Sequence, residues 1–152
     1  NGLSSLLSVC TSLRYLNLQR CYLQNCTLKS IDNVSKGLEK LEVLNISQNN
    51  LGDNAVAKWL SAINRNQIKS LNLSRVSKNE KRLYFYRIIH DFLIKSSKKL
   101  EFLDISHNEL DLEEYIQELM SCTSIVDEIN VGSNMNIVNL PSLQYHCVKC
   151  IC

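Results

Sequence analysis

One proline and four glycines in 152 residues leave this chain almost without the usual breakers of secondary structure. Its turns must be built from Asn, Ser and Asp, whose short side chains hydrogen-bond to nearby backbone. Long apolar runs are missing as well, and none approaches the ~20 residues of a membrane-spanning helix. The first residues, Asn1-Gly2-Leu3-Ser4-Ser5-Leu6-Leu7, lack the basic and apolar stretches of a signal peptide. An initiating Met is absent, which reads as a processed chain or a fragment. Neither sign of charge dominates: the net charge is +2, too small to argue for nucleic acid or a membrane surface as partner. The hydrophobic share of 45% suits one soluble domain with a sizeable core.

Sequence motifs of catalysis are missing too. There is no G-x-x-x-x-G-K, no H-E-x-x-H and no G-x-S-x-G. The nearest acid–base pair, Asp104 with His107, falls within a repeated strand segment. A binding protein is expected rather than an enzyme, with no cofactor.

Present instead is a repeat. Leu13-Arg14-Tyr15-Leu16-Asn17-Leu18-Gln19-Arg20-Cys21-Tyr22-Leu23 aligns without gaps on two later stretches. These are Leu41-Glu42-Val43-Leu44-Asn45-Ile46-Ser47-Gln48-Asn49-Asn50-Leu51 and Leu100-Glu101-Phe102-Leu103-Asp104-Ile105-Ser106-His107-Asn108-Glu109-Leu110. All three fit L-x-x-L-x-L-x-x-N/C-x-L. A weaker copy starts at Ile68, with Val76 and Lys78 in place of the usual Asn and Leu. Another runs through Ile125, Ile129, Val131 and Asn134, and needs one extra residue after Ile125. Starts at 13, 41, 68, 100 and 125 give steps of 28, 27, 32 and 25.

Leu16 and Leu18 alternate with Tyr15, Asn17 and Gln19, the period of a short strand. Helical spacing follows: Leu51 precedes Ala55, Val56, Trp59, Leu60 and Ile63, and Leu110 precedes Leu112, Tyr115, Ile116, Leu119 and Met120. Leu3, Leu6, Leu7 and Cys10 read as the last turns of a helix from an earlier repeat, without a polar cap before it. Such units bury their apolar faces only by stacking. Strands stack about 4.8 Å apart and helices about 8–10 Å, so the stack bends, with a parallel sheet inside and helices outside. The expected fold is an α/β solenoid of about five repeats over residues 1–140. Pro141 marks the end of the regular stack, and 141–152 is a C-terminal extension or a truncated further element.

The segment from Leu41 to Ile63, with Leu51-Gly52-Asp53-Asn54-Ala55 leading into its helix, resembles the ribonuclease-inhibitor-like class of leucine-rich repeats. The period near 28 favours that class over shorter ones. Members include ribonuclease inhibitor, the Ran GTPase-activating proteins and tropomodulin. The resemblance implies a curved scaffold that binds a protein partner, mainly through its concave face. It also raises the alternative of a regulator of a small GTPase.

Cys21, Asn49, Asn108 and Asn134 occupy the N/C position. They are expected to point inward as a structural ladder that satisfies turn backbone groups. The concave columns are Tyr15, Val43, Ser70, Phe102 and Glu128; then Asn17, Asn45, Asn72, Asp104 and Asn130; then Gln19, Ser47, Ser74, Ser106 and Gly132. A fourth, at the strand exit, is Arg20, Gln48, Arg75, His107 and Ser133. The Asn and Ser columns are close to the generic consensus. Tyr15, Phe102, Arg20, Arg75 and His107 are the unusual members, of the kind that anchor interfaces, and are the candidate partner-binding residues.

Between Arg75 and Lys99 lie eight basic and two acidic residues, and between Glu101 and Glu128 nine acidic residues and no Lys or Arg. Adjacent helices of opposite charge would favour their register. The stretch from Lys78 to Arg87 mixes four basic residues with three aromatics, which raises nucleic-acid binding as a weaker alternative. Seven cysteines, an odd number without scaffold spacing, favour reduced thiols and an intracellular setting, cytoplasmic or nuclear. Cys10, Cys21 and Cys122 fall at core positions. His146, Cys147, Cys150 and Cys152 lack a second spaced pair, so apolar thiols are expected there and not a metal. Asn25, Asn33, Asn45 and Asn72 match the glycosylation pattern, two of them only because the strand consensus contains it.

Overall fold

A computed structural model describes residues 2–23, 34–77, 82–110, 125–134 and 149–151. Strands β1 (Tyr15–Asn17), β2 (Val43–Asn45), β3 (Ser70–Asn72), β4 (Leu100–Asp104), β5 (Val126–Asn130) and β6 (Lys149–Ile151) form one sheet. Each lies beside its chain neighbour and every pair is parallel. Parallel neighbours need a crossover. Helix α1 (Gly2–Val9) precedes β1, and α2 (Ser35–Leu38), α3 (Asp53–Ala62) and α4 (Arg82–Ile94) lie in the first three crossovers. The result is an open solenoid, one coil per repeat.

Tyr15, Val43, Ser70, Phe102 and Glu128 stand in one row across the sheet. The residue between each pair of outward positions turns into the core, so Leu44, Leu71, Leu103 and Ile129 are all buried. Burying each such side chain contributes about 1.5–3 kcal/mol. From the helix side, α3 adds Ala55, Val56, Trp59 and Leu60, and α4 adds Phe85, Tyr86, Ile89, Phe92 and Leu93. Gly52 precedes α3 with φ 70 and ψ 163, a conformation that side chains resist.

The fold departs from the sequence reading in several places. The fifth repeat begins at Val126, which pairs with Leu100, so Ile125 precedes the strand and the extra residue disappears. The sheet also passes residue 140: β6 pairs with β5 in the register Glu128 to Lys149. In the first repeat Leu13, Leu16 and Leu18 are only partly buried, because no described strand lies beyond β1. On α1 Leu7 is buried, but Leu6 is 58% exposed and Cys10 is partly so. The second predicted helix, residues 111–124, and Cys122 lie outside the described residues, as does the proposed charge match between that helix and α4. Lys99 pairs with Asp127 across the same boundary.

Three aromatics in the basic stretch do not form a stacking surface. Phe85 and Tyr86 face the core, and Tyr84 alone of the three is exposed. Helical periodicity explains this, since neighbours at i and i+1 plus i+4 share the inner face of α4.

Among the described residues, no helix is long and apolar enough to cross a membrane. At the other end of the stack, α1 meets α2 at Gly37. A Cβ on Gly37 would lie 1.7 Å from the Leu7 carbonyl oxygen, whereas one on Gly2 meets nothing within 4 Å. Gly37→Ala is therefore expected to cost about 2 kcal/mol or more in urea unfolding, and Gly2→Ala less than about 0.5 kcal/mol.

Candidate functional site

The sheet face is divided by its own hydrogen bonds into used and available surface. In the second row, Asn17, Asn45, Asn72, Asp104 and Asn130 do not reach outward. Each side-chain Oδ1 accepts from the N–H two residues on, at Gln19, Ser47, Ser74, Ser106 and Gly132, all at 3.0 Å. These are Asx turns, and they end each strand, with glycine at that point only in the fifth, at Gly132. The third row is closed off as well: Ser47, Ser74 and Ser106 are buried, and Ser106 Oγ donates to Ser74 Oγ at 3.0 Å. Asn45 and Asn72 of the glycosylation pattern are thus committed to their own turns, while Asn25 and Asn33 lie outside the described residues.

Beyond each Asx turn the chain enters the left-handed region. Arg20, Gln48, Arg75, His107 and Ser133 have φ between 53 and 57. For a side-chain-bearing residue that costs about 1 kcal/mol or more. Rungs between coils hold it in place: the N–H groups of Arg20, Gln48, Arg75 and His107 donate to the carbonyls of Ser47, Ser74, Ser106 and Gly132. The left-handed turn throws these side chains onto an exposed rim, with Arg20, Arg75 and His107 all open to solvent.

Below the rim runs the ladder. Asn108 Nδ2 donates to the carbonyls of Leu73, Ile105 and Ser106 at 2.8, 3.0 and 3.1 Å. Its Oδ1 accepts from the N–H groups of Val76 and Ser77 at 2.9 and 3.0 Å. Asn134 repeats this one coil on, donating to Ile105 and Val131 and accepting from Asn108 and Leu110. Asn49 donates to Leu18, Ile46 and Ser47 and accepts from Leu23. Each amide therefore bonds its own turn and the turn one repeat earlier.

That direction explains why Cys21 departs from the expected inward ladder. It is exposed, and its Sγ contacts only the Gln19 carbonyl at 3.5 Å among the described residues. No described turn precedes it for an amide to join. A second departure is Val76, which has no amide. Here the coils are joined differently: Gly52 N–H donates to the Val76 carbonyl at 3.2 Å. Asp53, only 2% exposed, accepts from Ser77 Oγ at 2.7 Å.

At the strand starts, a row of Arg14, Glu42, Lys69, Glu101 and Asp127 alternates in sign over its first four members. Glu42 pairs with Lys69 at 2.9 Å and with Arg14. The Lys69 hydrogen bond, then that of Arg14, holds the Glu42 carboxyl below its usual range, and the same carboxylate holds Lys69 above its own. The sequence reading missed this row, although the repeat register alone would have aligned it.

The five predicted partner residues fall on two lines. Tyr15, 60% exposed, and the half-buried Phe102 share the first row, three strands apart. Arg20, Arg75 and His107 share the rim. The two lines are opposite margins of the face, about 16 Å apart along the strand direction. Asp104 is buried in its own Asx turn, so it does not form a catalytic pair with His107. The sequence reading also missed Tyr22, which stands beside the rim at 92% exposure and φ 54. Extending the alternation two residues past the strand exit would have found it. The side chains of the His146–Cys152 cluster lie outside the described residues.

Two family models, each described as a leucine-rich repeat, match residues 37–58 and 99–122. No curated protein and no solved structure matches the chain.

The ladder yields a graded expectation. Asn108→Leu orphans backbone groups of two coils and should lower stability by about 3 kcal/mol. Cys21→Ala should change it by less than about 0.5 kcal/mol. Denaturant unfolding of both variants measures the contrast, and equal effects would remove the ladder as the coupling between coils.

Proposed function

From a chain built of leucine-rich repeats, we propose a protein-interaction scaffold whose partner lies across the sheet face. The partner would anchor on Tyr15 and Phe102 at one margin and on Arg20, Arg75 and His107 at the other. One observation carries this reading. The middle of the face is occupied by its own Asx turns and buried serines, while its margins carry exposed aromatic and basic side chains. Aromatic and Arg side chains on a rigid frame give large contact areas with little ordering cost. Repeat lengths of 28, 27, 32 and 26, each with room for a helix, support the ribonuclease-inhibitor-like class. That class commonly uses the inner face for protein partners. The buried Phe85 and Tyr86 count against a nucleic-acid role, because stacking needs open aromatic faces.

Partner capture from cell extract, quantified for variants side by side, tests the face. Tyr15→Ala and Phe102→Ala should each weaken capture about tenfold or more, as hot-spot truncations do. Lys58→Ala, on the exposed side of α3, should leave it unchanged. Capture that survives both aromatic substitutions, or that falls with Lys58→Ala alone, would move the partner off this face.

A further inference from the structure

The rim is not a uniform edge. Between Arg20 and Arg75 lies a groove of about 460 Å³, with Tyr22, Gln48 and Asn50 among its walls. Arg75 is also a wall of a second groove of about 330 Å³, beside His107 and Glu109. The two grooves share Arg75 as a wall.

The described lining of the first groove has cations but no acid. The four ion pairs among the described residues lie at the strand starts, on α4 and at Lys99. None involves Arg20 or Arg75. Arg20 Nε donates to Gln48 Oε1, a neutral partner that orients the guanidinium without neutralising it. Arg20 and Arg75 stand two coils apart, which sets their backbones about 10 Å from each other. Both are placed by left-handed turns pinned by inter-coil rungs. Preorganised guanidinium groups favour planar, bidentate anions, of which the carboxylate is the commonest in proteins.

We propose that this groove binds an extended, acidic segment of the partner protein, with one carboxylate on Arg20 and another on Arg75. This rests on the sheet-face reading above and names its chemistry at the rim. A segment in the extended polyproline-II conformation rises about 3.1 Å per residue and returns every third side chain to the same side, so acids three residues apart match the separation of the two arginines. Tyr22, 92% exposed, gives the segment between them an apolar wall. Nucleic acid fits the rim poorly. Its phosphates are closely and continuously spaced, and would meet the Glu109 carboxylate in the second groove.

The test uses the full chain and a labelled Ser/Gly peptide of about twelve residues with Asp at every third position, followed by fluorescence anisotropy at low salt. Controls are the same peptide with Asn for Asp, and a single-stranded oligothymidylate. The Asp peptide should bind, the Asn peptide should bind at least about tenfold more weakly, and rising salt should weaken the Asp complex. Arg20→Ala and Arg75→Ala should each weaken it about tenfold, and Arg75→Lys should recover only part of the loss. Lys58→Ala should have no effect. No binding of the Asp peptide, binding that ignores both arginines, or equally tight oligothymidylate binding lost with the same arginines would each overturn the proposal. If the peptide fails while Tyr15→Ala still weakens partner capture, the acidic segment is refuted and the sheet-face reading stands.

Discussion

A single asparagine amide that bonds both its own turn and the turn one coil earlier is the constraint on which this structure depends. Short strands turn sharply at their exits, through left-handed residues that are neither Gly nor Asn, and the turn leaves backbone N–H and C=O groups facing inward. Burying such groups unpaired costs about 1–3 kcal/mol each. Asn108 engages five of them at once, accepting from two N–H groups and directing its two N–H bonds to three carbonyls, one bond being shared. Because part of that set belongs to the preceding coil, the same amide that closes a turn also sets the register between coils.

Function follows from what this leaves over. The Asx turns and the buried serines occupy the middle of the sheet face, so its chemistry is pushed to the margins. At the strand starts, alternating charges satisfy one another. At the strand exits, the left-handed turns hold Arg20 and Arg75 outward, and neither is in an ion pair with a described residue. In the proposed scaffold, a partner would meet a rigid frame whose charged rim groups are fixed in spacing. The irregular step at Val76 is part of this pattern. Its coil is joined through the buried Asp53–Ser77 bond, and the longest repeat follows it. Arg75, the shared wall of both grooves, sits immediately before that step.

Much of this was legible in the sequence. Three gapless copies gave the parallel sheet, the core leucines and the sheet rows, and the column from Tyr15 to Glu128 matches the observed pairing residue for residue. What was not legible depends on neighbours in space. Cys21 occupies a ladder position in the pattern, but a ladder position is inward only if a coil precedes it. Leu6 has helical spacing, yet α1 is covered on one side alone. Val126 rather than Ile125 opens β5 because pairing, not hydrophobicity, sets the strand start. Lys149–Ile151 is too short and too polar to announce β6, and is a strand because β5 offers it an edge. Gly37 carries no mark in the sequence, and only the fold brings the Leu7 carbonyl to the place of its side chain. Tyr22 fell outside the columns because the alternation was followed only to the strand exit.

The most direct measurement of the ladder is native-state hydrogen exchange at the amides it covers. Val76, Ser77 and Asn108 N–H groups, each donating to an asparagine oxygen of the next coil, should exchange only with global unfolding. Their exchange free energies should equal that of the central strands β3 and β4. Exchange at these amides as fast as at the exposed Tyr22 turn, with β3 and β4 still protected, would contradict the account.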